Sequence, residues 1–131
     1  MNNINDKVSV IMSVYNNEPD VSNSIESIIN QTYKNIELLI VDDGSKDSTL
    51  KICKEYAKQY KNIKLYENKT NIGLTKSLNK LINFTTGEYI ARQDADDISN
   101  LTRIEKQLKF LNANNIDACC TRANIMNTKK I

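Results

Sequence analysis

The acidic run Asp94-Ala-Asp-Asp97 has the residue types and spacing best suited to chemistry in this sequence. In an extended segment, residues i and i+2 point the same way, so Asp94 and Asp96 can face one cation. Adjacent carboxylates repel each other, and a divalent cation relieves that repulsion while it binds diphosphate oxygens. The run therefore predicts a Mg²⁺ or Mn²⁺ site for a phosphorylated ligand, in which the metal neutralises charge on a departing phosphate.

Residue types that are scarce or absent exclude several other classes of site. The sequence contains no histidine, which removes histidine-based triads and the commonest metal ligand. Its three cysteines, Cys53, Cys119 and Cys120, lack the spacing of a zinc site. Three glycines are too few to write a dinucleotide-binding or P-loop motif. A net charge of +2 gives no electrostatic reason to expect a nucleic-acid partner.

Two further polar clusters also follow apolar segments, namely Tyr15–Glu18 and Asp42–Ser45. In open α/β sheets, ligands bind beyond the carboxyl ends of the strands, so these clusters and Asp94–Asp97 are expected on one edge. Each cluster taken alone also fits an ordinary turn or helix cap, where Asp and Asn are common. The coincidence of three clusters favours a binding site.

The elements that must position these clusters alternate between strand and helix. Apolar and β-rich runs predict four strands over 8–14, 36–41, 63–67 and 88–92, and a fifth, less regular one over Ala118–Met126. Helical spacing of apolar residues predicts a helix after each of the first four strands. The last of these helices carries Leu101, Ile104, Leu108 and Leu111, and Ser99 or Asn100 is its expected cap. The pattern predicts an α/β, Rossmann-like sandwich whose mainly parallel sheet has helices on both faces.

The length of 131 residues predicts one domain over 1–131. Apolar runs reach only four or five residues, so no membrane span is expected, and Met1–Lys7 is too polar for a secretory signal. We therefore expect a cytoplasmic protein, which could also sit peripherally at the inner face of the membrane.

Several segments, in their order along the chain, resemble the family 2 glycosyltransferases, which have the GT-A fold and use nucleotide-diphospho-sugars. The resemblance runs from Val8 to about Ala113. It is carried by Val8–Glu18, by Leu39-Ile-Val-Asp-Asp-Gly-Ser-Lys-Asp47, by Asn71-Ile-Gly73 with Ser77 and Asn79, and by Gly87–Asp97, which contains the family's DxD motif. Ser27–Tyr33, Arg103 and Gln107 also match.

The resemblance implies roles for the matching positions. Tyr15 would stack near the base, and Asp43 or its neighbour Asp42 would accept a hydrogen bond from uracil. Asp94 would meet the ribose and also help Asp96 to bind the metal. The implied nucleotide-binding set is Ser13, Tyr15, Glu18, Asp42, Asp43, Asn71, Gly73, Lys76, Asp94 and Ala95, and the implied metal ligands are Asp96 and Asp94.

The implied activity is metal-dependent, inverting transfer of a sugar from a UDP-sugar to a hydroxyl of a saccharide or lipid-linked saccharide. No convincing catalytic base follows Asp97, so the base is expected beyond Ile131, in an acceptor-binding half that this chain stops short of; Asp97 itself is the alternative. Apolar surface left by that missing half would favour a homo-oligomer. Two other functions stay open: a non-catalytic nucleotide-sugar-binding module, and an α/β interaction domain that binds Mg²⁺ alone.

Overall fold

The computed structural model describes residues 5–125, and its centre is a sheet of four parallel strands. The strands are β1 (Val8–Val14), β2 (Ile36–Asp42), β3 (Ile63–Glu67) and β4 (Tyr89–Arg92). Their order across the sheet is β3-β2-β1-β4, so the chain moves outward from β1 to β3 and then crosses to the other side of β1. The strand order therefore reverses between β1 and β4, which makes this the topological switch point of the sheet.

Four helices connect or follow the strands: α1 (Val21–Ile29), α2 (Thr49–Gln59), α3 (Leu74–Ile82) and α4 (Arg103–Asn114). The core lies on both faces of the sheet, as the near-continuous apolar runs of β1 and β2 predict. On one face, Val10, Met12, Leu38 and Ile40 pack with residues of α1, α2 and α4. On the other, Ile11, Leu39 and Val41 pack with Leu81 of α3. The α/β sandwich predicted from the sequence is confirmed.

Three local predictions about the last part of the chain are wrong. No strand follows α4 within the described residues; Ala118–Ile125 is irregular, and Met126 lies outside them. Extended backbone becomes a strand only where a neighbour completes its hydrogen bonds, and none pairs with this segment. The fourth helix begins at Arg103 with Thr102 as its cap instead of Ser99 or Asn100. Leu101 precedes that helix and is 54% exposed.

The carboxyl ends of β1, β2 and β4 lie at one edge of the sheet because the strands are parallel. Three loops leave that edge, and they contain the three polar clusters of the sequence. Among residues 5–125, no helix has the length and apolar character needed to cross a bilayer.

Candidate functional site

A cavity of about 350 Å³ opens at the carboxyl edge of the sheet. It is lined by residues of the loops after β1, β2 and β4, and of the segment that enters α3: Ser13, Tyr15, Asn17, Asp43, Asn71, Gly73, Leu74, Asp94, Ala95 and Asp96. Eight of these ten were assigned to the site from the sequence. The volume is within the range of small-molecule binding sites.

Asp43 lies at the floor of this cavity and is only 2% exposed. Its Oδ1 accepts hydrogen bonds from the backbone N–H of Ile72 and the side-chain amide of Asn68, both at 2.9 Å. Its Oδ2 accepts one from the backbone N–H of Gly73, also at 2.9 Å. Burial raises the pKa of Asp43, but these hydrogen bonds outweigh that effect and hold the pKa below its ordinary value. Asp43 is therefore an ionised acceptor at neutral pH.

Two glycines with positive φ shape the loops around Asp43, and at Gly44 the close approach of another loop also requires glycine. Gly44 has φ of +78°, and a Cβ there would lie 3.0 Å from the backbone nitrogen of Asn71. Gly73, with φ of +92°, is the cap of α3 and donates its N–H to Asp43. Both conformations are costly for other residues. The Asp42–Ser45 and Asn71–Gly73 segments are thus joined into one wall.

Asp42 points away from the cavity, although the sequence left it as an alternative to Asp43. It is the last residue of β2, and alternation puts its side chain on the face of Leu38 and Ile40. Its Oδ2 accepts hydrogen bonds from the backbone N–H groups of Gly44 and Ser45 at 3.1 and 3.0 Å. Asp42 shapes the turn that presents Asp43, and it does not line the cavity.

Asp94–Asp97 forms a turn, so the expectation of an extended segment is wrong. The backbone N–H of Asp97 donates to the carbonyl of Asp94 at 3.2 Å. The Asp94 carboxylate accepts two hydrogen bonds from the guanidinium of Arg92, at 2.9 and 3.2 Å. Asp96 is exposed at the cavity and makes no hydrogen bond or ion pair with any residue in 5–125. Asp96 is therefore available to a ligand, whereas Asp94 is already paired with Arg92.

This donor set fits a Mg²⁺ or Mn²⁺ ion only when a ligand supplies further oxygens. Among residues 5–125, no group of three or more Asp, Glu, Cys or His side chains could hold a metal. Mg²⁺ in proteins usually has one or two carboxylates, with phosphate oxygens and water completing its coordination. Asp96 is a carboxylate of that kind, whereas the charge of Asp94 is already matched by Arg92.

Tyr15 and Ser13 occupy the part of the cavity formed by the end of β1. Tyr15 is 44% exposed, so one face of its ring is available to a ligand. Its backbone N–H donates to the side-chain oxygen of Asn17 at 2.8 Å. Asn17 and Leu74 also line the cavity, and the sequence did not identify them. Asn17 lies inside the cluster Tyr15–Glu18, so its position was a usable signal, whereas Leu74 looked like an ordinary helix residue.

Besides Asp42, three further predicted residues do not line the cavity. Glu18 accepts a hydrogen bond at 3.0 Å from the backbone N–H of Ser48, and so ties two loops together. Lys76 is exposed on α3. Asp97, the alternative catalytic base, is exposed and lines a different cavity, together with Arg92 and Arg103.

Comparison with known proteins agrees with this arrangement. The model of the family described as Glycosyl transferase family 2 matches residues 9–130. EpsE of Bacillus subtilis (strain 168), which carries the name of a glycosyltransferase, is 56% identical over 106 residues. That match covers 80% of this chain and 38% of EpsE.

Solved structures show the same architecture bound to donors. TarS of S. aureus in complex with UDP-GlcNAc matches with a TM-score of 0.77 and 26% identity, covering 95% of this chain and 38% of that one. The mannosyltransferase PcManGT of Pyrobaculum calidifontis, in complex with GDP-Man and Mn²⁺, matches with a TM-score of 0.76 and 26% identity. That match covers 81% of this chain and 32% of that one. The chain thus spans less than two fifths of each of these proteins.

Proposed function

Because the chain belongs to glycosyl transferase family 2, we propose that it forms the donor-binding part of an enzyme that transfers a sugar from a nucleotide-diphospho-sugar to an acceptor hydroxyl. We propose a UDP-sugar as the donor and inversion at the anomeric carbon, the outcome that the family resemblance implies. A saccharide or a lipid-linked saccharide is the proposed acceptor.

The observation that carries this proposal is the buried Asp43 carboxylate at the floor of the cavity. Its hydrogen bonds come from Asn68, Ile72 and Gly73, with the Ser77 hydroxyl also close enough to lower its pKa, and all of these donors are neutral. A carboxylate oxygen can accept more than one hydrogen bond, so Asp43 is proposed to accept the ring N–H of uracil as well. Tyr15 also lines the cavity and, being partly exposed, offers its ring for stacking on the base. Together these two residues fit a flat heterocycle that carries an N–H donor.

We assign the diphosphate to the part of the cavity lined by Asp96, whose carboxylate makes no hydrogen bond or ion pair with residues 5–125. A Mg²⁺ or Mn²⁺ ion bound there would supply positive charge that stabilises the departing nucleoside diphosphate. Asp96 would hold the ion, and Arg92 keeps the neighbouring charge of Asp94 neutralised. The ion would therefore meet one unpaired carboxylate, and phosphate oxygens and water would supply its other ligands.

Deprotonation of the acceptor requires a base within roughly 2.6–3.2 Å of its oxygen. Among the described lining residues, Asp43 is held by three hydrogen bonds, Asp94 is paired with Arg92, and Asp96 is assigned to the metal. We therefore propose that the 131-residue chain binds donor but transfers sugar slowly, since acceptor positioning alone can lower a barrier by about 7–11 kcal/mol.

Calorimetric titration with UDP tests the binding step, in the presence of either Mn²⁺ or EDTA. The proposal expects binding that is much stronger with Mn²⁺, and an Asp96→Asn variant that loses this difference. Asp117→Asn is the matched control, because Asp117 is exposed and does not line the cavity. Equal UDP affinity with Mn²⁺ and EDTA would overturn the metal assignment. No binding of UDP or GDP under either condition would overturn the proposed function.

Release of UDP from UDP-sugars, with and without sugar acceptors, tests the catalytic step. The 131-residue chain is expected to release UDP near the background rate. Robust acceptor-dependent turnover by this chain would show that the base lies within it. An Asp97→Asn variant would then distinguish Asp97 from the other carboxylates.

A further inference from the structure

The turn Asp94–Asp97 is held from behind by side chains that do not line the cavity. Gln93, the residue before the turn, is 2% exposed, and its backbone N–H donates to the carbonyl of Ile11 at 3.0 Å. Gln93 is thus fixed to β1 at the point where β4 has ended. Its side chain runs under the turn instead of into the cavity.

The amide group of Gln93 contacts both ends of the turn. Its Nε2 donates to the carbonyl of Asp97 at 2.8 Å and lies 3.3 Å from the carbonyl of Asp94. Ser24 of α1 donates its hydroxyl to the same Asp94 carbonyl at 2.9 Å. Ala95 and Asp96 lie between these two anchored carbonyls, so their backbone has little freedom to rotate.

Arg103 fixes the orientation of the Gln93 side chain. Its guanidinium donates to Oε1 of Gln93 at 2.7 Å and to the carbonyl of Arg92 at 2.8 Å. Ser99 also donates its hydroxyl to Oε1 of Gln93, at 2.6 Å. A guanidinium has no acceptor, so the amide oxygen of Gln93 must face Arg103 and its NH₂ must face the turn. Every polar group of the Gln93 side chain is therefore used.

We propose that Gln93 and Arg103 are positioning residues, which hold the Asp94–Asp97 turn so that the Asp96 carboxylate stays at the cavity. Neither residue lines the cavity. The consequence for ligand binding rests on the proposed function, because it concerns the metal-dependent part of nucleotide affinity. Without the two anchors, the turn has to be ordered when the metal and the diphosphate bind, and that ordering weakens binding.

The Gln93→Glu variant tests this role, with the Gln59→Glu change on the exposed face of α2 as its control. A glutamate can still accept hydrogen bonds from Arg103 and Ser99, but it presents an acceptor to the carbonyls of Asp94 and Asp97. We expect the increase in UDP affinity that Mn²⁺ gives over EDTA to fall roughly tenfold. Affinity for UDP in EDTA is expected to stay within about twofold of the unchanged chain.

The Arg103→Lys variant, with the exposed Arg122→Lys as control, is expected to change affinity in the same direction but less. A lysine keeps the charge and cannot bridge Gln93, Ser99 and the Arg92 carbonyl together. If Mn²⁺ raises UDP affinity over EDTA as much in Gln93→Glu or in Arg103→Lys as in the unchanged chain, the proposal is overturned. So would an equal loss of affinity in Mn²⁺ and EDTA accompanied by a lower unfolding midpoint, since that pattern is general destabilisation.

A second measurement separates this inference from the proposed function. The backbone N–H of Asp97 is protected by the carbonyl of Asp94, so its hydrogen exchange reports the order of the turn directly. We expect roughly tenfold faster exchange at Asp97 in Gln93→Glu, with the unfolding midpoint little changed. If the unchanged chain binds neither UDP nor GDP, the proposed function fails, and this exchange rate alone decides the positioning role. Unchanged exchange would overturn it.

Discussion

Two buried carboxylates, Glu37 and Asp43, lie near opposite ends of the same strand, β2, and each is 2% exposed. Glu37 is near the start of β2, and its Oε1 accepts hydrogen bonds from the hydroxyl of Ser9 and the N–H and hydroxyl of Thr86. Its Oε2 lies 2.9 Å from Nζ of Lys64 and 3.1 Å from Nζ of Lys7. Asp43 accepts hydrogen bonds from three neutral donors, and no cation within residues 5–125 pairs with it.

The donors around a buried carboxylate indicate whether it stabilises the fold or is available to bind a ligand. Four residues contact the Glu37 carboxylate: Ser9 and Thr86 donate hydrogen bonds, and Lys7 and Lys64 match its charge. The carboxylate joins β1, β2 and β3 to the residue Thr86 that precedes β4. At Asp43, which lines the cavity, the donors are all neutral, so no cation among the described residues matches its charge. Glu37 is therefore expected to support folding, and Asp43 to support ligand recognition.

Glu37→Gln is expected to have the largest effect on stability. The amide would place an NH₂ group against donors that now bind a carboxylate, and it would leave both lysines without their partner. We expect a loss of about 3 kcal/mol in the free energy of unfolding. Urea unfolding measures this loss, with Glu55→Gln on the exposed face of α2 as control. UDP affinity should stay within about twofold, and a selective loss of UDP binding would contradict the structural role of Glu37.

Asp43→Asn is expected to weaken nucleotide recognition and also to cost some stability, because its NH₂ would face N–H donors that now bind the carboxylate. In the proposed complex, the Asp43 carboxylate accepts a hydrogen bond from the ring N–H of uracil. The corresponding ring nitrogen of cytosine carries no hydrogen and can only accept. Loss of a charge-assisted hydrogen bond costs about 1.5–3 kcal/mol, so we expect CDP to bind the unchanged chain roughly ten- to a hundredfold more weakly than UDP.

Competition between UDP and CDP measures this preference before and after the substitution. The Asp43→Asn variant should bind UDP more weakly and lose most of the preference. Asp117→Asn controls for loss of an exposed carboxylate. Equal competition in the unchanged chain would refute the uracil assignment, and tighter binding of GDP would point to another class of donor.

The sequence alone predicted the sheet and the edge at which the three polar clusters meet, because both can be inferred from patterns within single segments. The apolar runs of β1 and β2 predicted buried parallel strands, and polar clusters after strands predicted which loops meet. Features that depend on partners from distant segments were missed. The turn at Asp94–Asp97 is stabilised by Gln93 and Ser24, and Ala118–Met126 has β-forming residues but no neighbouring strand among those described.

Glu37 illustrates the same limit. An acidic residue inside the apolar run Ile36–Val41 was a visible signal that something must match its charge. The sequence does not show that Lys7, Lys64 and Thr86, which lie up to 49 residues away, are the partners. Side chains alternate between the two faces of a strand, so Asp42 and Asp43 are expected to point in opposite directions. The sequence shows which of them points into the core only once the end of β2 is known.

The pH dependence of stability should reflect both carboxylates with the same sign. Burial raises the pKa of Glu37, but hydrogen bonds from Lys64, Ser9 and Thr86 outweigh it and hold the pKa well below its ordinary value of 4.5. The pKa of Asp43 is likewise held below 3.8. Because the folded-state pKa values are lowered, the stability that they contribute is present above the unfolded-state pKa values and is lost as pH falls through the folded ones.

Unfolding in urea at a series of pH values measures this dependence. We expect a stable plateau above about pH 5 and a decline below about pH 4.5, with a slope of up to about 1.4 kcal/mol per pH unit for each proton taken up. Glu37→Gln should make the decline shallower, because it removes one of the carboxylates. An equally steep decline in Glu37→Gln and the unchanged chain would show that other carboxylates account for it.

Lys64→Met is expected to have the smallest effect, because Lys7 also contacts Glu37 and the Lys64 side chain is 42% exposed. Ion pairs of this exposure contribute about 0–1 kcal/mol, so we expect a loss below about 1 kcal/mol, with Lys58→Met on α2 as control. Adding Lys7→Met removes the second cation and leaves Glu37 with only neutral donors, as Asp43 has now. The double variant should therefore lose more free energy of unfolding than the sum of the two single variants, since the second substitution leaves a buried charge unmatched. A purely additive result in urea unfolding would mean that Ser9 and Thr86 alone suffice to hold the carboxylate. The absence of a cation at Asp43 would then no longer distinguish the binding carboxylate from the structural one.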